Sequence, residues 1–398
     1  MSAAEPVGPR PVCFLHVGLP KSGTSFLQSV FWDNRAELAR QGLGMLPARA
    51  EDHFFLALKL RGLLKPYDDP RAATVLERLA GDVARVSTPR LLVSQEALAP
   101  TTREEAGPLL ELLAGFELHV IVTARDLARQ LPSAWQQRVQ ARLTATYPEF
   151  LRAVVDREPL AHDLWLNQDL GRVLDVWGAS VPPDRIHVVT SPRSGDGSLL
   201  DRFCSVVGVD PSTLQTRAAT GNRSLGYFQA ELLRRVNVAL GDRFPSSRQG
   251  YGRLGKVYLA GRILQRQQAE PLRLPPDLLD WCTRTSSAWV AQIRSAGHHL
   301  VGDEDDLLPS ADAFAPLPQL DAAVLLDVAT TALADVLEVR DVELDEQREL
   351  RDGLRQQATR IADLERQLSA TSLSRVVRAA RRRMPRRPTA DDRDDGRA

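Results

Sequence analysis

Short apolar runs alternate with stretches of helical periodicity along much of this chain. Val12-Cys13-Phe14-Leu15-His16-Val17 is the first run, and it breaks into Gly18-Leu19-Pro20-Lys21-Ser22-Gly23-Thr24-Ser25 before an amphipathic stretch from Thr24 to about Gln41. That order predicts strand, turn and helix. Gly42 to Pro47 reads as a short strand or turn, and Arg71 to Val86, with Val75, Leu79, Val83 and Val86 on one face, as a helix. Two more apolar runs, Arg90–Ser94 and Leu118–Thr123, flank a helical Arg103–Ala114. Another, Ile186–Thr190, follows helical Leu170–Trp177 and a turn at Val181-Pro182-Pro183-Asp184. Each run ends in polar residues, as a buried parallel strand does before an active-site loop. The alternation predicts an α/β fold, a parallel sheet with helices on both faces and ligands at the carboxyl ends of its strands.

From Leu199 to His299 the pattern is mostly helical, most clearly in Glu231–Leu240 and Pro276–Ser295. The expected organisation is a disordered 1–11, a domain over 12–300, an acidic, Pro/Ala-rich linker over 301–320, a helical or coiled-coil segment over 321–371 and a basic, disordered tail over 372–398. In the helical segment Leu350, Leu354, Ile361, Leu364 and Leu368 fall on a and d positions of a heptad frame, with Gln357 the polar exception. That spacing predicts a coiled coil that pairs two copies of the chain, or else a solvated helix. Arg375 to Arg387 holds seven arginines and no acid, a pattern of tails that bind membrane surfaces or polyanions.

Composition narrows the class. At 398 residues and 43% hydrophobic the chain can bury a large core. Its 51 basic and 51 acidic residues cancel, so no global field points to nucleic acid, and charge has to act locally. Cys13, Cys204 and Cys282 match no metal-ligand spacing and leave an odd thiol, which predicts a reduced compartment and no structural metal. With neither a cationic-then-apolar leader nor a run of about 18 apolar residues, the expected location is cytoplasmic, with membrane association only through the basic tail.

The chemistry gathers at the first turn. Backbone N–H groups in a Gly/Ser-rich turn, together with the positive end of the next helix, form a site for phosphate or sulfate. A triphosphate-binding loop reads G-x-x-x-x-G-K-[ST], with lysine after the second glycine. Here Lys21 precedes Gly23, and Thr24 stands in the usual lysine place. The Lys-Ser-Gly-Thr-Ser order resembles instead the 5′-phosphosulfate loop of sulfotransferases that use 3′-phosphoadenosine 5′-phosphosulfate (PAPS). That resemblance implies a three-layer P-loop-type fold, PAPS as co-substrate without a metal, and transfer to a hydroxyl or amine of an acceptor such as a carbohydrate or lipid. It casts Lys21 as the catalytic cation, with Ser22, Gly23, Thr24 and Ser25 holding the 5′-phosphate.

The same family carries an arginine at the end of a later strand and a serine eight residues on, both holding the 3′-phosphate. Val120-Ile121-Val122-Thr123-Ala124-Arg125 and Ser133 stand at that spacing. A guanidinium fork pairs bidentately with phosphate and a hydroxyl adds a donor. Leu127 stands where many members have proline, and Trp135 where tyrosine is common. Arg253-Leu254-Gly255-Lys256 loosely resembles the family's late Arg-Lys-Gly element but reads as a basic helix face.

A base is needed for the acceptor proton. Glu96, just beyond the Arg90–Ser94 run, is the first candidate, and His53 in Glu51-Asp52-His53-Phe54-Phe55, which resembles part of heparan-type enzymes, is the second. His16 reads as buried structure, and His298-His299 as no metal site. Trp135, Trp165, Trp281 and Trp289 could stack on an acceptor but, at helical spacing, read as core. Two other readings stay open: a P-loop kinase or hydrolase using Asp126 for magnesium, and an adaptor with a degenerate nucleotide site.

Overall fold

The computed structural model describes residues 10–193, 198–216, 224–243, 250–268, 270–371 and 379. They fall in two units, Met1–Val328 and Ala329–Ala398. The first unit is built on a six-stranded sheet in the order β2-β3-β1-β4-β5-β6, with β1 at Val12–His16, β2 at Leu43–Met45, β3 at Arg90–Ser94, β4 at Glu117–Ala124, β5 at Ile186–Thr190 and β6 at His299–Val301. Every pairing is parallel. The expected α/β class, a parallel sheet between helices, is the observed one.

The helices are α1 (Thr24–Asp33), α2 (Arg35–Arg40), α3 (Ala50–Leu60), α4 (Val75–Val83), α5 (Arg103–Leu112), α6 (Leu127–Gln140), α7 (Tyr147–Val155), α8 (His162–Gln168), α9 (Leu170–Gly178), α10 (Leu199–Val207), α11 (Tyr227–Leu240), α12 (Leu279–Ala296) and α13 (Ala322–Thr371). A wide π-type helix runs from Gly252 to Ile263. Successive strand residues point to opposite faces, and both faces are covered. Phe14, Leu92, Ile121 and Val189 pack on one side with Leu27 and Phe31 of α1 and Phe203 and Val207 of α10. Cys13, Leu15, Val93, Val120, Val122 and Val188 alternate with them and are equally buried. Two covered faces explain why these strands read as unbroken apolar runs.

The connection after β1 runs toward the β3 and β2 side while the connection after β4 runs toward β5, so the two diverge and open a crevice at the carboxyl ends of β1 and β4. The Gly18 turn lies there. Trp135, Trp165 and Trp289 are core, as their spacing predicts. The three thiols are buried and free. No helix among the described residues is long and apolar enough to cross a membrane.

The expected 301–320 linker is corrected by the structure. Val301 closes β6, Leu307 is fully buried, and Phe314 bridges to Leu274. One of the segment's acidic residues, which looks solvated in sequence, is internal: Asp306 accepts from Thr190 Oγ1 at 2.9 Å and pairs with Arg202. Residues 1–9 and the basic tail, apart from Ala379, lie outside the described residues. In the second unit α13 continues as a helix to Thr371.

Candidate functional site

A chain of hydroxyls and one imidazole holds the turn after β1. His16 is fully buried, with Nδ1 2.8 Å from Ser94 Oγ and Nε2 3.1 Å from Thr123 Oγ1. Thr123 Oγ1 lies 2.7 Å from Ser22 Oγ, which donates to Leu19 O at 2.6 Å. Each hydroxyl has one proton, so the directions follow. Ser22 spends its proton on Leu19 and must accept from Thr123. Thr123 must then accept from His16 Nε2–H, which leaves Nδ1 to accept from Ser94. Burial pushes the His16 pKa down to about 3, so the imidazole is neutral and Nε2 carries its one proton.

This arrangement turns the loop's carbonyls inward. Leu19 O takes Ser22, Pro20 O takes Gln168 Nε2 at 3.0 Å and also Gln130, and Lys21 O takes Arg125 Nη1 at 3.4 Å. Gly18 (φ +32°) sits where a Cβ would fall 2.6 Å from Thr24 Cγ2 and 2.8 Å from Thr123 Oγ1, so only glycine fits the close approach. Gly23 (φ +96°) starts α1, and no side chain caps that helix end. Its first-turn N–H groups remain for an anion, with no acidic residue in the turn to oppose one. Lys21 itself is left-handed, φ +70°, a conformation uncommon for a lysine and held by the carbonyl contacts on either side of it.

Of the loop residues expected to hold phosphate, Ser22 needs a correction. Its side chain is fully buried and its hydroxyl is committed to Leu19, so it supports the loop from behind. Ser25 is exposed at the start of α1. Lys21 meets three charged groups. Burial lowers its pKa first, Lys256 and Arg125 lower it further, and Glu96 acts in the opposite sense. Lys256, which reads as a surface cation in sequence, thus contributes to the field at the loop.

Arg125 follows β4 and is buried enough that its pKa falls to about 10, by desolvation first and then by Arg129, against the pull of Asp126. Among the described residues it forms no ion pair, and its Nε has no hydrogen-bond partner. Asp126 is not available to it: that carboxylate caps α6 by accepting from Arg129 N at 2.9 Å and also pairs with the Arg129 side chain. A half-buried, desolvated guanidinium without its own counter-charge is costly unless an anion joins it. Beside it opens a cavity of about 360 Å³ lined by Arg125, Ser133, Gln136, Arg193, Arg273 and Asp312, among others. Arg125 and Ser133, paired by sequence spacing, therefore share one cavity.

Arg193 and Arg273 were not visible as site residues in the sequence. Arg193 lies just beyond β5 in Ser191-Pro192-Arg193, a strand-end position that could have marked it, whereas Arg273 lies in irregular chain with no such signal.

Glu96 opens a short helical turn after β3 and accepts from Gln28 Nε2 at 2.7 Å. His53 lies on α3 with Nδ1 3.1 Å from Ser94 O and Nε2 3.0 Å from Pro47 O. Both ring nitrogens face carbonyls, and burial lowers its pKa against those contacts. His53 therefore aims no lone pair at an acceptor, which removes it as the alternative base.

No protein-family model matches the chain, and no curated protein matches it. Among solved structures it is similar to a sulfotransferase from Alicyclobacillus acidocaldarius, with 13% identity and a TM-score of 0.36, over 74% of this chain and 97% of that one. A likeness at that TM-score carries no weight for the site. Among the described residues, no group of three or more His, Cys, Asp or Glu is placed to hold a metal ion.

Proposed function

We propose that this protein is a sulfotransferase that takes PAPS as donor. The observation that carries the reading is Arg125, a half-buried cation whose buried Nε is unpartnered, sharing a cavity with Ser133 while its Nη1 bonds to the carbonyl of Lys21. One guanidinium thereby ties two anion sites together, as a nucleotide with phosphates at both its 5′ and 3′ positions requires.

The donor supplies a sulfuryl group carried on a phosphate leaving group. The uncapped first turn of α1 and the loop N–H groups hold the 5′-phosphate, and Arg125 with Ser133 holds the 3′-phosphate. As the acceptor oxygen bonds to sulfur and the bond from sulfur to the phosphate oxygen breaks, the electron pair stays on the phosphate. Lys21 neutralises that charge, and Glu96 takes the acceptor proton. Positioning and charge stabilisation do the catalytic work. The triphosphate alternative lacks its metal carboxylate, because Asp126 is occupied by the start of α6 and by Arg129.

Titration calorimetry with 3′-phosphoadenosine 5′-phosphate in magnesium-free buffer tests the reading. Binding is expected, and it should weaken at least tenfold when the 3′-phosphate is removed, by the usual worth of a charge-assisted hydrogen bond, about 1.5–3 kcal/mol. No binding, or magnesium-dependent ATP turnover, overturns it. Labelled PAPS offered with glycans, lipids and phenols then identifies the acceptor.

A further inference from the structure

The apolar seam of α13 lies in the second unit, and its leucines are bare: Leu350 is 68%, Leu354 67%, Ile361 57% and Leu364 50% exposed. With a positions at 354, 361 and 368 and d positions at 350, 357 and 364, the frame continues through the sequence to Leu368. Upstream the same frame meets Arg340, Glu343 and Gln347, so the seam begins at Leu350. What should cover it follows from the charges that flank it.

Three pairs of outer-face charges close within the helix: Arg348 with Asp345 at 2.7 Å, Arg355 with Asp352 at 3.5 Å, and Arg366 with Asp363. These occupy b, c and f positions. The e and g charges beside the seam are Glu346, Arg351, Arg360 and Glu365, and none of them forms an ion pair among the described residues. In a parallel, in-register pair of such helices each g residue meets the e residue of the following heptad on the other strand. Glu346 then faces Arg351 of a second copy, and Arg360 faces Glu365, so every charged contact is attractive and each occurs twice. An antiparallel pair stacking a on d would instead bring Arg360 against its own counterpart. Gln357 at d would meet Gln357, so in the parallel register each buried amide faces another amide, its donor and acceptor complement.

We infer that residues 350–368 form a parallel, in-register two-stranded coiled coil with a second copy of this chain. The inference is independent of the catalytic reading. Sedimentation equilibrium of the full chain should give twice its 44.0 kDa at micromolar concentrations. Leu354→Asp combined with Ile361→Asp should return it to the monomer, without unfolding the first unit because both side chains are exposed. Gln357→Cys should form an inter-chain disulfide on mild oxidation, since the native thiols are buried. Arg360→Glu and Glu365→Arg should each raise the dissociation constant several-fold, and their combination should restore it. A wild-type monomer, or a dimer that survives the double aspartate variant, overturns the interface. A dimer that Gln357→Cys does not cross-link, or whose charge reversals do not compensate, overturns the parallel register.

Discussion

Thr123, near the end of β4, hydrogen-bonds to Ser22 in the neighbouring loop, Oγ1 to Oγ at 2.7 Å, and by proton count Thr123 is the donor. The same oxygen accepts from His16 Nε2. Thr123→Val keeps the shape but leaves a buried imidazole N–H without an acceptor, which costs about 1–3 kcal/mol. Chemical unfolding should show that loss, and titration should show weaker nucleotide binding because Leu19 and Ser22 lose their brace. Thr123→Ser should restore both. Full affinity in the valine variant would mean that the loop does not depend on this chain.

Lys21 and Arg125 touch through a backbone carbonyl but are assigned separate tasks. Arg125→Ala should raise the dissociation constant of 3′-phosphoadenosine 5′-phosphate roughly tenfold to a hundredfold, the worth of one or two charge-assisted hydrogen bonds. Lys21→Ala should instead lower the rate of transfer from labelled PAPS by about a hundredfold or more, as loss of a charge aimed at the leaving group does. Equal losses of affinity with no separate effect on rate would contradict the division.

How much of this was legible depended on whether the signal was local. The β1 run, the turn and the residue after β4 could be read because a strand covered on both faces is a continuous apolar run and its end is where chemistry sits. Asp306 could not be read, because an acid in an acidic, proline-rich stretch looks solvated until Arg202, over a hundred residues earlier, is folded against it. His299-Leu300-Val301 is too short to announce a strand, and β5 supplies the pairing that makes it one. Ser22 departs from expectation for the opposite reason. It stands in the turn after β1 as the pattern predicts, but its hydroxyl direction is set by Leu19 O and by Thr123, a tertiary neighbour.

Acid should destabilise the chain through its buried histidines. Across β4, β5 and β6, His119 Nδ1 lies 2.9 Å from His187 Nε2, and His187 Nδ1 2.8 Å from His299 Nδ1, while Glu117 takes His119 at 3.2 Å and Arg185 at 3.4 Å. With Glu117 accepting, one proton per ring satisfies the row, and His187 Nδ1 has to remain a lone pair. Burial, then His119 and His299, lower the His187 pKa to about 4 from 6.5, with Asp184 opposing. The unfolded chain therefore binds more protons below pH 6.5, and stability is full above that value and falls as pH drops toward 4, with His16 adding to the slope. Urea midpoints measured at neutral pH and near pH 5 should show the decline, and His187→Gln should flatten part of it. A profile unchanged in that variant would sink the assignment.

The segment from Gly302 to Phe314 should prove essential to the sheet domain. Gly302 has φ +114°, and a Cβ there would fall 2.1 Å from Thr190 Oγ1 and 2.5 Å from Arg202 Nη1, so the turn brings backbone directly against the pair that Asp306 completes. Although burial acts to raise the Asp306 pKa, hydrogen bonds from Arg202 and Thr190 hold it below the usual carboxylate range. Its contribution is present at neutral pH and is lost as pH falls through the carboxylate range. Asp306→Ala removes the carboxylate that both Thr190 Oγ1 and the largely buried Arg202 guanidinium hydrogen-bond, at a cost of roughly 1.5–3 kcal/mol. Gly302→Ala should also destabilise, by the strain of its positive φ and the contact with Thr190. Both should lower the unfolding midpoint of the full chain at pH 7, whereas Asp305→Ala, on the exposed side of the same turn, should leave it nearly unchanged. If Asp306→Ala unfolds no earlier than Asp305→Ala, the segment is a tether and not part of the domain.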